Sequence, residues 1–511
     1  MAVARLNSFI GRIPQGDYSR GVLAFPPQSG YSAGYFAGST IMDPNRVPGH
    51  ICPGPKLVQI TDATDVDATV LKMVPFIGSG LDQRQYFIME SDEKILSATS
   101  QTNIANPVSL TSGDLPSDAV LYENNGTFEL FVSYNDATNG NIARISTLTG
   151  TEVLDDDYYT AVLSGTLLNK NFPHPMSVAE NGICYIGNGT VLASMDLRTG
   201  SPVQNDVAVS VQTGWIIKDH MPYKGFHFIL VEEVHEAGAT PSASFGRVAV
   251  LVWDYVATNF NDIYYLEDAS QATTINRYKG VPIVFAKGSE SKIYQYNGSG
   301  FTAIPRVSWS GGLPLKGGVT HMRGGLLAWH TGSDIRTLGD VYGRDANAHN
   351  IIMSVGGTGN VIAQSIFDSK KYFVGGVVSD TDKLGYIDLS IDGGYGFGDY
   401  ISEPVTFGRK VKVTGLRFYY QTRSGGSPSA DDKWDVSIIA NENDSMTHSN
   451  IGDLSGSDMT ATSNGYKEIP VSINDVHRIR VRLKVSANVA VNAYIPIPYL
   501  VEVVYEESGK H

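Results

Sequence analysis

The chain has 511 residues and a formal net charge of −14 at pH 7, and this length suits two or three domains. Proteins that wrap free nucleic acid need a basic surface, so the acidic balance argues against that class. The chain contains 54 Gly, 23 Pro and 27 Tyr, and only 18% of its residues are charged. This composition is typical of an all-β protein.

Residues 1–80 predict an extended N-terminal arm and the segment that leads into the first folded domain. Prolines are frequent and hydrophobic periodicity is weak over this stretch, which excludes long helices. The first residues carry no apolar core of a secretion signal, and no run of about eighteen apolar residues predicts a membrane span. The arm would dock on its own domain or on a neighbouring subunit, or it would stay disordered.

Two cysteines, Cys52 and Cys184, lie far apart in the sequence. Two cysteines are too few for a disulfide framework in a chain of this length, and they form no CxxC metal motif. We therefore expect two buried, reduced thiols.

From residue 81 to residue 400 the chain repeats a pattern of apolar strand, turn and second strand. The spacings between successive anchors of the pattern are 44, 54, 43, 57, 42 and 46 residues, and a four-stranded propeller blade takes about 40–50 residues. We therefore predict a β-propeller of six to eight blades, with a set of β-sandwich domains as the alternative. The seven anchors are Phe87, Phe131, Tyr185, Phe228, Phe285, Leu327 and Phe373.

Residues 390–397, SIDGGYGF, resemble the Asp-box of sialidase-like propellers, a structural turn between two blade strands. Ser390, Asp392 and Gly394 occupy the motif positions, and Phe397 stands where the motif has tryptophan. In such a turn the aspartate accepts backbone hydrogen bonds and the glycine adopts a positive φ. The resemblance supports the propeller and implies no catalysis.

Residues 401–511 predict a C-terminal antiparallel β-sandwich, with strands near 466–472, 477–485 and 499–505 and a polar loop from Asn441 to Asn464. Within this region the sequence HRIRVRLKV alternates strictly between basic and apolar residues. Period two puts the four basic side chains on one face of a strand. That face would meet an acidic partner or DNA in a channel, or it would be a solubilising, solvent-exposed strand. The four basic residues are Arg478, Arg480, Arg482 and Lys484.

The whole layout resembles a family of tailed-bacteriophage virion proteins that have an N-terminal arm, a β-propeller and a C-terminal β-sandwich. The Gly- and Pro-rich residues 46–55, RVPGHICPGP, the blade-like repeats, and the junction at residues 402–408, SEPVTFG, carry the resemblance. It implies a structural, non-enzymatic role in a tail nozzle, hub or tail-tip ring of the virion. The implied partners are further copies of the chain in a ring such as a hexamer, other tail proteins and the genome DNA that passes nearby.

A search for catalytic motifs found no phosphate-binding loop, no HExxH zinc motif and no GxSxG nucleophile elbow. We predict no catalytic residues, no metal and no cofactor. Four acidic segments are candidate metal or calcium sites, and the simpler interpretation of each is a solvated loop. They are residues 232–236, residues 155–157, which adjoin two tyrosines and are also a candidate sugar site, and the stretches 441–444 and 453–458. His174, between two prolines, is expected to be a turn residue.

Two functions from different classes follow. The first is the virion structural protein. The second is a carbohydrate-binding or glycoside-hydrolysing propeller protein, which includes a receptor-binding tail protein. A glycosidase needs two carboxylates a few ångström apart, and the sequence does not single out a pair. Five tryptophans would stack sugars, although a place in the core suits large aromatic side chains better. They are Trp215, Trp253, Trp309, Trp329 and Trp434.

Overall fold

The strands of the described residues form seven four-stranded antiparallel sheets and one eight-stranded antiparallel sheet. The structure is a computed structural model. It describes residues 2–5, 38–40, 52, 54–55, 57–60, 70–78, 83–90, 92–148, 150–198, 202–234, 246–339, 349–354, 361–375, 384–389, 398–402, 405–421, 433–441, 447–455, 465–485 and 497–507.

The seven four-stranded sheets are the blades of a β-propeller, numbered 1 to 7 along the chain. Three short strands precede them: β1 (Ala2–Arg5), β2 (Gly38–Thr40) and β3 (Leu57–Gln59). Blade 1 comprises β4 (Val70–Ile77), β5 (Gln83–Met89), β6 (Lys94–Ala98) and β7 (Ile104–Ser109). Blade 2 comprises β8 (Leu115–Asn124), β9 (Thr127–Asn135), β10 (Gly140–Ser146) and β11 (Val153–Asp155). Blade 3 comprises β12 (Met176–Val178), β13 (Cys184–Asn188), β14 (Val191–Asp196) and β15 (Val203–Ser210).

Blades 4 to 7 follow the same plan. They comprise β16 (Trp215–Tyr223), β17 (Phe226–Glu233), β18 (Val248–Trp253), β19 (Asp262–Tyr265); β20 (Gln271–Tyr278), β21 (Val281–Lys287), β22 (Ser291–Tyr296), β23 (Phe301–Trp309); β24 (Val319–Met322), β25 (Leu326–His330), β26 (Asp334–Leu338), β27 (His349–Ser354); and β28 (Ile362–Gln364), β29 (Lys371–Gly375), β30 (Leu384–Asp388) with β3. Among the described residues, one short helix, α1 (Tyr158–Ala161), and two 3-10 turns, Lys316–Gly318 and Arg323–Gly325, lie in the connections.

The alternation of side chains along the middle strands packs each blade against both of its neighbours. In β5, Tyr86 and Ile88 pack against blade 2, whereas Phe87 and Met89 pack against blade 7, because successive residues of a strand face opposite sides of the sheet. Seven buried clusters of this kind fill the seven interfaces between neighbouring blades. The blades therefore form a closed ring, and the prediction of a propeller of six to eight blades is confirmed with seven.

All seven sequence anchors lie on the second strand of a blade, and each is at most 3% exposed. The second strand of each sequence repeat is the third strand of a blade. The two middle strands of a blade are covered on both faces by the neighbouring blades, so they appear in the sequence as apolar runs. This burial explains why the repeat was visible.

The turns between the first and second strands share a local geometry. In blades 2, 4 and 5, both central residues of the two-residue turn have positive φ: 47° and 86° in Asn125-Gly126, 50° and 79° in Lys224-Gly225, and 50° and 81° in Lys279-Gly280. This is the type I′ hairpin turn, whose twist matches that of the strands and which favours glycine at its second position.

The ring closes through β3, the outermost strand of blade 7. Leu57 pairs with Ile387 and Val58 pairs with Tyr386 in antiparallel register. Between blade 7 and blade 1, the rings of Phe87 and Phe373 meet edge to face with centroids 5.2 Å apart. A strand from the beginning of the chain and three strands from residues 362–388 therefore build one blade.

The eighth sheet belongs to the C-terminal region. Its strands are β31 (Asp399–Ile401), β32 (Val405–Gln421), β33 (Lys433–Ala440), β34 (Thr447–Ser455), β35 (Gly465–Val485) and β36 (Ile497–Glu507), together with β1 and β2. The order is β1-β36-β32-β35-β31-β2, and β33 pairs with β34 and β35. The sheet thus incorporates two strands of the predicted arm.

Two details differ from the expected strands. The segments near 466–472 and 477–485 form one continuous strand, β35, in which Asp475 adopts φ 57°. A left-handed residue shifts the pairing register without ending the strand. The predicted polar loop between Asn441 and Asn464 contains β34, which pairs with β33. Within the residues that the structure describes, no helix is long and apolar enough to cross a membrane.

Candidate functional site

Irregular pairing in the innermost strands of four blades brings polar side chains together. The register of β4, β8, β16 and β20 shifts immediately before Lys72, Asp118, Asp219 and Thr274, respectively. A β-bulge re-aims the side chain that follows it. The innermost strands of a propeller surround its axis, so these side chains converge there. Together with Lys316, they are called the axial cluster below.

The carboxylate of Asp118 connects four chain segments. Its Oδ1 accepts hydrogen bonds from Lys72 Nζ at 2.6 Å and from the backbone of Ala119 at 2.7 Å. Its Oδ2 accepts from the backbone of Met176 at 2.7 Å and contacts Lys316 Nζ at 3.0 Å. The side chain is only 3% exposed. A carboxylate at this depth requires such a full set of donors, since its burial without them is strongly unfavourable.

The ammonium group of Lys316 uses its three hydrogens on three acceptors. They are Asp118 Oδ2 at 3.0 Å, Asp219 Oδ1 at 2.8 Å and the carbonyl of Met176 at 2.8 Å. Lys316 begins the 3-10 turn in the connection between blades 5 and 6. The connection therefore reaches across the axis to blades 2, 3 and 4.

Asp219 is saturated in the same way. Its Oδ1 also accepts from the backbone of His220 at 2.8 Å. Its Oδ2 accepts from Thr274 Oγ1 at 2.7 Å and from the backbone of Ile275 at 3.0 Å. These bonds join blade 4 to blade 5, so the axial cluster links the innermost strands of blades 1 to 5.

Gly317 allows the turn to approach the first blade. A Cβ at this position would lie 2.4 Å from the backbone oxygen of Leu71 and 2.8 Å from the Cα of Lys72. Only glycine permits backbones to approach so closely. The turn is thereby held against β4 while its lysine enters the axial cluster.

The charges of the cluster perturb one another. Burial lowers the pKa of Lys72, and Lys316 adds to this effect while Asp118 opposes it. For Lys316 the effect of burial is outweighed by Asp118 and Asp219, which raise its pKa above the ordinary value. Burial alone would raise the pKa of Asp118, but Lys316 and Lys72 hold it well below its usual range. Asp118 is therefore a carboxylate at every physiological pH.

A serine and two histidines lie beside the cluster. His220 Nε2 is 2.8 Å from the carbonyl of Pro175, so this nitrogen carries the proton and Nδ1 accepts. Nδ1 lies 2.7 Å from Ser177 Oγ and 2.8 Å from His227 Nε2. Burial, followed by the charge of Lys316, lowers the pKa of His220 to about 4. His220 is 1% exposed, so the group links blades 3 and 4 inside the protein.

The axial cluster therefore holds the innermost strands of blades 1 to 5 together, and this role is called a brace below. The four carboxylate oxygens of Asp118 and Asp219 all accept hydrogen bonds from this chain, and the ammonium of Lys316 directs its three hydrogens to three acceptors. The oxygens of both carboxylates are thus occupied by donors of the protein itself.

The basic face predicted on the C-terminal region lies on β35. Ile479, Val481, Leu483 and Val485 are buried, while Arg478, Arg480 and Arg482 are half-buried and Lys484 is exposed. The alternation is therefore present. Arg482 forms an ion pair with Asp399, with Nε 2.9 Å from Oδ1, and Lys484 pairs in register with Asp399 and Asp435. Acidic residues of β31 and β33 thus accompany the basic row.

The Asp-box-like turn lies outside the described residues, and so do residues 442–444 and 456–458. The other acidic segments find separate partners. Asp155 pairs with Arg144, Asp156 accepts from Thr111, and Asp157 accepts from Tyr134. Among the described residues, no three His, Cys, Asp or Glu side chains converge as metal ligands.

The remaining predicted positions belong to the core. Cys52 and Cys184 are buried and form no disulfide, as expected, and the five tryptophans are at most 7% exposed. His174 is fully buried rather than a simple turn residue: its ring contacts Gly187 O at 3.0 Å and Asn135 Oδ1 at 2.9 Å. It joins blade 2 to blade 3.

Sequence reasoning did not single out the axial cluster, although a signal exists. Lys72, Asp118, Asp219 and Thr274 each stand four residues before an aromatic residue, in KMVPF, DAVLY, DHMPY and TINRY. A polar residue followed by an aromatic residue at this spacing recurs in the first strand of four blades. Lys316, in a connection, has no comparable signature.

No protein-family model matches the sequence. No curated protein matches it either. Among solved structures, an inactive variant of virginiamycin B lyase from Staphylococcus aureus with quinupristin is similar to this chain, with 13% identity and a TM-score of 0.44. The similarity covers 65% of this chain and 98% of the lyase chain.

Two further similar structures have different functions. Kuenenia stuttgartiensis hydrazine synthase is similar to 64% of this chain over 98% of its own length, with 10% identity and a TM-score of 0.44. A chain of the mitotic checkpoint complex is similar to 66% of this chain over 92% of its own length, with 9% identity and a TM-score of 0.38. None of these structures is a phage tail protein. Similarity at this level concerns the propeller architecture alone.

Proposed function

We propose that the chain is a non-catalytic structural protein of a tailed-bacteriophage virion, assembled with further copies of itself and with other tail proteins in a nozzle, hub or tail-tip ring. The observation that carries the proposal is the axial cluster. The centre of the propeller, where a ligand would enter, holds ion pairs made by the chain's own Lys72, Asp118, Asp219 and Lys316.

A brace of this kind suits a scaffold. It joins the innermost strands of five blades, and seven apolar interfaces join the blades farther out. Ion pairs at this depth resist separation because an unpaired buried charge is unfavourable. The propeller would therefore transmit force or hold position without deforming, and its contacts with partners would fall on its outer surfaces and on the C-terminal sheet.

The N-terminal arm supports assembly. Two of its segments, β1 and β2, form the two ends of the C-terminal sheet, next to β36 and β31. An end strand pairs on one side only and leaves its other side open to a further strand. A ring would arise if each copy offered such an edge to the next copy, which is a head-to-tail contact that closes under cyclic symmetry.

The basic residues of β35 would meet the genome or an acidic tail protein. Arg480 and Lys484 lie on the face of β35 that alternates away from the core. The chain as a whole is acidic, with a net charge of −14, so most of its surface would repel DNA. A local basic row in an otherwise repellent channel would let DNA pass without adhering.

The test is the mass in solution, by native mass spectrometry and sedimentation, of the full chain and of a variant lacking residues 1–50. The deletion removes β1 and β2 but keeps β3, which closes the propeller. We expect a closed oligomer that the deletion dissociates, or a monomer whose arm is cut readily by protease. Circular dichroism and the melting temperature check that the shortened chain remains folded.

A compact monomer at about 1 to 100 μM, with a protease-resistant arm and no change on deletion, would contradict the assembly role. Negative-stain electron microscopy of the oligomer is the second measurement. A ring with a central opening supports the nozzle, hub or tip position, and an open filament or an irregular aggregate argues against it.

A further inference from the structure

A pocket of about 670 Å³ lies between blades 4 and 5. It opens at the ends of the innermost strands, whereas the axial cluster lies nearer their beginnings: in β16, Asp219 belongs to the cluster and Tyr223, at the end of the strand, lines the pocket. This volume falls within the usual range for small-ligand sites, about 300–1,000 Å³. The virion proposal does not use this pocket.

The floor of the pocket is aromatic and preformed. Tyr223, Phe228 and Tyr296 pack edge to face, with ring centroids 5.3 to 6.1 Å apart. Tyr264 adjoins Tyr296 with centroids 5.7 Å apart, and Phe226 stands at the edge with 39% of its surface exposed. Tyr223 and Phe228 are only 7% and 3% exposed, so the ring surface that a ligand meets comes chiefly from the half-buried Tyr264 and Tyr296 and from Phe226.

The rim is polar. Asn261, Asp262 and Asn297 line the pocket and are exposed. The two asparagine amides both donate and accept hydrogen bonds, and the carboxylate of Asp262 accepts them. Burial raises the pKa of Tyr264, and Tyr296 adds to this effect. A hydrogen bond between the Tyr264 hydroxyl and the carboxylate of Asp262 raises this pKa further. The hydroxyl of Tyr296 donates to the carbonyl of Gly298 at 3.0 Å.

Positive charges already cover part of the aromatic surface. Lys224 Nζ lies 5.2 Å from the ring centroid of Tyr223, and the guanidinium carbon of Arg277 lies 5.9 Å from the same centroid. A cationic ligand that sought the ring faces would be repelled by both side chains. A neutral ligand with an apolar face for the rings and hydroxyl groups for the rim avoids this repulsion.

We propose that this pocket binds one or two units of a neutral glycan. The face of a pyranose ring that carries axial C–H groups would lie on the aromatic floor. Its hydroxyl groups would exchange hydrogen bonds with Asn261, Asp262 and Asn297. The proposal is independent of the virion role, since a structural protein and a free carbohydrate-binding protein would use the same pocket.

Blade 2 offers a matched control. Its first hairpin has the same type I′ turn, Asn125-Gly126, and it carries an exposed phenylalanine, Phe128, which is 55% exposed. Phe128 does not line the pocket. Replacing Phe128 therefore removes a similar side chain from a similar turn without touching the proposed site.

The experiment uses the full chain with saturation-transfer difference NMR and calorimetry. The probes are the methyl glycosides of glucose, galactose, mannose and N-acetylglucosamine, with maltose, lactose and chitobiose as disaccharides. We expect saturation transfer to at least one probe, concentrated on its ring C–H protons. Phe226→Ala should weaken the affinity about ten-fold or more, and Asp262→Ala should weaken it as well, whereas Phe128→Ala should leave it within about two-fold.

Three results would overturn the proposal. They are the absence of transfer to every probe at about 10 mM, an equal loss in Phe128→Ala and Phe226→Ala, and binding of tetramethylammonium but of no saccharide. The melting temperature of each variant distinguishes loss of the site from loss of the fold.

Discussion

Lys316 Nζ lies 2.8 Å from Asp219 Oδ1 and thereby ties the connection between blades 5 and 6 to the innermost strand of blade 4. The same ammonium contacts Asp118 of blade 2 at 3.0 Å. One lysine from a connection thus holds together two strands whose aspartates lie 97 and 198 residues before it in the sequence. Its removal should affect the whole ring rather than one blade.

We expect Lys316→Met to destabilise the protein by about 3 kcal/mol or more, because it leaves two buried carboxylates without their shared cation. The measurement is the free energy of unfolding in urea. Lys412→Met is the control, since Lys412 forms an exposed pair with Glu506 at 3.9 Å, and exposed pairs contribute about 1 kcal/mol or less. Similar losses in the two variants would show that the axial cluster is not a brace.

Gly317→Ala should destabilise the protein by about 1–3 kcal/mol, because the new methyl group would overlap the backbone of Leu71. Gly300→Ala is the matched control, since a Cβ there meets nothing within 4 Å. Thermal unfolding of both variants provides the measurement. If Gly317→Ala melts together with Gly300→Ala, the close approach of the turn to β4 is not required for stability.

Asp114 predicts a dependence of stability on pH. Burial, and then the carboxylates of Asp156 and Asp136, raise its pKa to about 6. A raised pKa means that the folded state holds the proton more tightly, so the contribution of Asp114 is present at low pH and is lost as the pH rises through about 6. Between about pH 4.5 and 7.5, the wild-type protein should lose about 2 kcal/mol relative to Asp114→Asn.

The pH prediction is checked by urea unfolding of both proteins at several pH values. Comparison with the variant cancels the titration of the groups that do not interact with Asp114. A difference between the two proteins that stays constant with pH would refute the raised pKa.

The propeller was predictable because its repeat lies in the most buried strands. Phe87, Phe131 and Phe285 mark second strands that neighbouring blades cover on both faces, and such strands leave continuous apolar runs in the sequence. The first and fourth strands did not stand out, because many of them contain bulges or exposed residues. The closing strand β3 was hidden in a segment without periodicity, since three residues contain too little pattern.

The axial cluster and the pocket could not be located from linear order. Lys72 and Lys316 become neighbours only because the ring closes, and no local sequence pattern near either residue indicates the other. The aromatic floor joins Tyr223 of one blade to Tyr296 of the next. By contrast, the alternation of β35 was visible, because the four basic residues and their buried neighbours follow one another in a single strand.

Strand β3 has a consequence for the order of events during folding. Leu57 and its partner Ile387 are 330 residues apart in the sequence, so blade 7 cannot be completed until most of the chain has left the ribosome. Blades 1 to 6 would form earlier, each from contiguous residues, and would wait as an open arc with unpaired edges. Contacts of such long range slow folding and prolong exposure to aggregation. The rate at which the native protein appears should therefore be set by the arrival of β30, and residues 57–60 must remain free to receive it.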